Sequence, residues 1–139
     1  MIAGKRQATW RNERGQALAE FALVLPLILL FIAGIIEMGR AWNIKQAVTD
    51  AAREGARYAV IQDGSLTTDD VKAKIEERLA LASIDSSTID FAGPFHAAGE
   101  MTVTVSTQYQ MGLIGALLDW AGAPAVVTIS TQATMRSEW

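Results

Sequence analysis

His96 is the chain's one histidine, and any reading of this sequence as an enzyme has to begin there. It stands between Phe95 and Ala97, in a stretch bracketed by Gly93-Pro94 and Ala98-Gly99, so it is expected in a loop. Metal sites and nucleophile–base pairs need companion side chains, and none is spaced to supply them. Cysteine is absent, which excludes disulfides and thiolate metal ligands. There is no HExxH, no GxSxG and no glycine-rich phosphate loop. Asp69, Asp70, Glu76 and Glu77 read as charge along a helix surface. The expectation is therefore a protein with no catalytic residue, no cofactor and no metal ligand, that is, not an enzyme. What does rise above background is Gly15 followed by Glu20. A glycine closes a basic leader, four residues intervene, and a glutamate stands where an apolar run begins. A carboxylate entering hydrocarbon either reaches for water at the interface or needs a cationic partner.

The element that places this pair is the apolar run itself. Residues 21–36 contain sixteen consecutive residues without a charge, and Glu20 is the only charge between Gln16 and Ile36. Counted from Ala17, the segment reaches the roughly 20 residues that cross a bilayer's hydrocarbon core. Residues 1–14 carry Lys5, Arg6, Arg11 and Arg14 against Glu13, a net +3, and the rest of the chain carries −6. Basic residues accumulate on the cytoplasmic side, so the expected organisation is a cytoplasmic leader over 1–15, a transmembrane helix over 16–37 and an extracytoplasmic domain over 38–139. Localisation would be a bacterial inner membrane, crossed once. The acidic outer portion argues against a nucleic-acid partner. Two rivals stay open: a membrane-anchored module whose outer domain binds a ligand, and an exported domain cut by signal peptidase after Gly39-Arg40-Ala41. A signal h-region of about 7–15 residues is shorter than the run seen here.

Helical character continues past the apolar run. Residues 37–61 contain no proline and place Met38, Ala41, Trp42, Ile44, Ala47 and Val48 at i, i+3, i+4 spacing, so one helix is expected from Gln16 to Ile61, ~69 Å long. Asp50 with Arg53 and Glu54 with Arg57 have the spacing to pair across its outer face. Pro26 removes one backbone hydrogen bond and is expected to bend the helix. Ala47, Ala51, Gly55 and Ala59 form a ridge of small residues in four-residue steps. Such a ridge permits close backbone approach, either of the protein's own sheet or of a helix in another subunit.

Beyond a turn at residues 62–65, Thr67 or Thr68 is placed to cap a second helix, with Asp69 and Asp70 at its positive end and Val71, Ile75 and Leu79 as its buried stripe. Residues 88–91 have the composition of a short strand. Residues 101–111 alternate, with Met101, Val103, Val105, Thr107, Tyr109 and Met111 on one face; residues 125–135 make another strand, with Val127, Ile129, Thr131, Ala133 and Met135 on one face. Between them, residues 112–122 form a short apolar helix or loop in which Leu113, Ile114, Leu117, Leu118 and Trp120 either close the end of the sheet or make a patch for a partner or membrane surface. The fold class is α+β, a long helix and a short one on a small antiparallel sheet.

In order along the chain, RGQALAEFALVLP, EMGRA and AAREGARYA resemble the N-terminal region of TadE-like proteins, pilin-like subunits of the tight-adherence (Tad) branch of type IV pili; ATMR in the last strand is also similar. The resemblance implies a type IV pilin-like fold and a pseudopilin or minor pilin. It implies cleavage by a prepilin peptidase between Gly15 and Gln16, leaving Gln16 first and Glu20 fifth. Glu20 would then balance the freed N-terminal amine of a subunit in an assembled filament. The implied partners are other pilin or pseudopilin subunits, the prepilin peptidase, an inner-membrane assembly platform and the lipid bilayer.

Overall fold

The computed structural model describes residues 7–61, 66–84, 87–92 and 99–137, with side chains for 15–61, 66–84, 88–92 and 100–136. The expected turns at 62–65 and 93–98, and His96, lie outside the described residues. The first element, α1, is one helix, Gln7–Ile61. It begins inside the leader, earlier than the Gln16 start expected from the sequence. The difference has a simple cause: no proline interrupts residues 7–15, and an interior glycine such as Gly15 costs only about 1 kcal/mol, too little to stop a growing helix. Pro26 also lies within α1. The chain divides into two compact units, Met1–Ile36 and Glu37–Trp139.

In the first unit the described large apolar side chains are exposed. Leu18, Phe21, Leu23, Leu27 and Phe31 are all more than half exposed. One helix among the described residues is long and apolar enough to cross a membrane, with a mean hydropathy of 2.6 in its most apolar stretch.

The second unit holds the core. After α1 come α2 (Thr68–Leu81), β1 (Ser87–Ala92), β2 (Gly99–Gln110), α3 (Gly115–Trp120) and β3 (Val126–Ser137). The three strands form an antiparallel sheet in the order β1-β2-β3. This is the α+β, pilin-like architecture expected from the sequence. Thr67 caps α2 through a capping box with Asp70, each side chain bonding the other's backbone N–H. The helix ends in a Schellman turn: Ile84 N–H donates to the Leu79 carbonyl at 3.0 Å and Ser83 N–H to Ala80 at 2.9 Å. Ser83 takes φ 58° to allow it.

Register follows from the alternation along β2. Val103 pairs with Phe91 on one side and Ala133 on the other, and Val105 pairs with Ile89 and Thr131. Met101, Val103 and Val105 are buried against Val71, Ile75 and Leu79 of α2 and the inward face of α1. On β3, Ile129 and Ala133 are buried as the alternation expects, whereas Val127 is exposed. The ion pair at helical spacing that forms is Lys74 with Glu77 on α2, at 2.8 Å.

Candidate functional site

Gly15 is helical, and a Cβ built on it would meet nothing within 4 Å. Its surroundings therefore demand no glycine for reasons of space. One turn apart on the same helix, Gln16 Nε2 donates to Glu20 Oε1 at 3.1 Å, and both residues are exposed. A carboxylate and an amide at i, i+4 face each other on a helix surface, which is why this pair closes. Thus Gly15 and Glu20, singled out by spacing, and Gln16, named through the resemblance, lie together on one accessible stretch of helix.

The small-residue ridge is largely covered within the second unit. Ala51, Gly55 and Ala59 are buried and Ala47 is half-buried. At Gly55 the approach is closest: a Cβ would stand 2.5 Å from Ile75 Cγ1, nearer still to its Cδ1, and 3.8 Å from Val103 Cγ1. Glycine is required there by the side chain of α2. The ridge thus seats Ile75, a neighbour not specified by the four-residue spacing.

A second constellation has no counterpart in the sequence reading. Glu37, 4 % exposed, is one of the few buried polar side chains. It accepts a short hydrogen bond from Tyr109 Oη, a second from Gly112 N–H at 2.8 Å on the same Oε1, and a third from Leu113 N–H at 3.0 Å on Oε2. Three donors replace the water that burial removes from this carboxylate, which is the condition for keeping such a group inside. The Tyr109 phenol is pushed above its ordinary value, by burial first and then by its bond to Glu37. The only hint in the sequence was Glu37 as the first charge after the apolar run; its partners lie at the far end of β2 and could not be found by local pattern.

Gly112 and Leu113 belong to a compact connection between β2 and β3. Met111 N–H donates to the Ala125 carbonyl at 2.9 Å and closes its base. Gly115 is buried there, where a Cβ would touch those of Ala125 and Met111 at 3.5 and 3.6 Å. The helix α3 ends in a Schellman turn, with Ala123 N–H on Leu118 O at 2.8 Å and Gly122 N–H on Asp119 O at 3.1 Å. Gly122 has φ 72°, the left-handed conformation this turn requires. Among the described residues no group of three or more His, Asp or Glu side chains could hold a metal ion.

Residues 15–57 match the family model of TadE-like proteins. This TadE-like span opens on Gly15, includes Gln16, Glu20 and Glu37, and takes in Ala47, Ala51 and Gly55 of the ridge; Ala59 lies just past it. The family together with the apolar helix fits a membrane-anchored protein associated with the Tad pilus. No curated protein and no solved structure matches the chain.

Proposed function

We propose that this chain is an assembly subunit of a Tad-type pilus, a pseudopilin or minor pilin, and a substrate of a prepilin peptidase rather than an enzyme. The observation that carries this reading is the TadE-like span opening on Gly15, just ahead of an exposed apolar stretch of α1, residues 17–36, in which Glu20 is the lone charge. Cleavage between Gly15 and Gln16 would free an amine one helical turn from Glu20. In the uncut chain Gln16 already donates to that carboxylate, so an amine at the same residue has a partner within reach. Filament assembly then matches the carboxylate of one subunit to the amine of its neighbour, which lets a charge reside in an apolar core. The basic leader places the N-terminus in the cytoplasm and the second unit outside a bacterial inner membrane. Partners are other pilin or pseudopilin subunits, the peptidase and an inner-membrane assembly platform.

N-terminal sequencing of the protein from its native membrane tests the reading. Gln16 at the terminus supports it; Trp42 would assign the chain to export by signal peptidase; Met1 would leave a membrane anchor or an uncut pseudopilin. Cleavage with Glu20→Ala subunits that assemble as wild type would sink the charge-matching step alone.

A further inference from the structure

We infer that the connection between β2 and β3 is a second membrane contact, an apolar foot that rests in the outer interfacial layer of the same bilayer α1 crosses; this rests on the membrane-anchor reading above. Glu37 is the next residue after the last of the uncharged run, so in an inserted chain it stands at the boundary of the hydrocarbon. Its carboxylate holds the backbone of Gly112 and Leu113 directly, at 2.8 and 3.0 Å. The connection is therefore tied to the boundary residue itself, whatever the tilt of the helix.

Its chemistry suits that level. Residues 111–125 contain one charge, Asp119. Leu113 and Leu117 are about half exposed and Trp120 is 85 % exposed, although the backbone beneath them is closed by the Met111–Ala125 bond and the Schellman turn. A rigid loop that holds a tryptophan and two leucines outward has a reason to do so only if something apolar receives them. Tryptophan favours the headgroup level, where its ring is half in hydrocarbon and its N–H can remain wet. Arg40 supplies the matching charge: its guanidinium lies 3.5 Å from where a Cβ on Gly112 would be, beside the foot, where lipid phosphates would lie. Two points of attachment, a crossing helix and a resting foot, would fix how the second unit stands on the surface before assembly extracts it.

The test uses the full chain in vesicles of phosphatidylcholine and phosphatidylglycerol whose acyl chains carry bromine near the headgroup. In one variant Trp10, Trp42 and Trp139 are changed to phenylalanine, leaving Trp120 as the sole fluorophore. In a second, all four tryptophans are replaced and Leu29→Trp reports on the crossing helix. Expected is at least about twofold loss of Trp120 emission to the shallow bromolipid, with Leu29→Trp quenched instead by bromine placed deep in the chains. Quenching at Leu29→Trp with none at Trp120 overturns the foot and leaves the anchor standing. Quenching at neither site overturns the anchor and the foot with it. Emission from Trp120 that is blue-shifted yet immune to bromolipid would assign the patch to a second copy of the chain, and also overturns the proposal.

Discussion

Within α1, residues 18–36 expose leucine, isoleucine and phenylalanine around the helix, while residues 37–61 bury a face built of alanine, glycine and valine. Both stretches are apolar enough to be called hydrophobic, yet they answer different solvents. Large side chains facing outward on every side suit hydrocarbon, which rewards apolar area without demanding a fit. Small side chains on a single face suit a packed interior, where the approach of Ile75 to Gly55 decides what fits. The lesson lies in side-chain size and sidedness rather than in mean hydropathy.

The comparison can be broken hardest in the first stretch. The pair Leu27→Arg with Leu30→Arg should cost about 6 kcal/mol of insertion, since each mid-helix arginine costs about 3 kcal/mol. Fractionation should show the chain lost from alkali-washed membranes; retention at the wild-type level would refute hydrocarbon as the surroundings of this segment. In the second stretch, Ile75→Ala should lose about 2–5 kcal/mol in denaturant unfolding of the second unit. Gly55→Ala should lose about 1–3 kcal/mol by overpacking against Ile75. The two should couple: Gly55→Ala becomes nearly harmless once Ile75→Ala has cleared the space, and strict additivity would mean that the contact is not the cause.

A smaller effect is expected at the Glu37 constellation and depends on pH. The Tyr109 phenol is raised in the folded chain, so the fold holds that proton more tightly than the unfolded chain does. Its contribution is complete below the ordinary tyrosine value of 10.0 and is lost as pH rises through the folded value. Alkaline unfolding, followed by circular dichroism, should therefore shift on Tyr109→Phe. Smallest is the cap of α2. Asp70 is held below the ordinary aspartate value of 3.8, first by the Thr67 backbone N–H and then by its hydroxyl. That contribution is present above 3.8 and is lost as pH falls through the folded value. Thr67→Ala should cost about 1 kcal/mol at neutral pH, measured by thermal unfolding.

How much could be read in advance depends on whether the cause was local. The cap at Thr67, the stripe Val71-Ile75-Leu79 and the alternation of Met101, Val103 and Val105 each have their whole signal within a few residues, and each is present as expected. Gly15 and Glu20 stood out in the sequence through a local signal too, a break in charge followed by a single carboxylate, whereas Gln16 was named only through the resemblance to TadE-like proteins. Tyr109 and Glu37 are 72 positions apart, and no periodicity links them. Val127 keeps its place in the alternation of β3 yet stays exposed, because alternation names a face without saying how far the covering elements reach. The early start of α1 shows the converse: a composition without periodicity still propagates a helix when one is already running beside it.

The size of the ridge residues has a further consequence, in time rather than space. Synthesis completes α1 at Ile61 before α2, which begins at Thr68 and brings Ile75 to Gly55, exists to cover it. During that interval the face of Ala47, Ala51, Gly55 and Ala59 is bare. Had those positions been leucine, the nascent chain would present a wide sticky stripe to every neighbour; alanine and glycine offer little area for misassociation. The residues that make the finished contact close also keep the unfinished molecule quiet until α2 arrives.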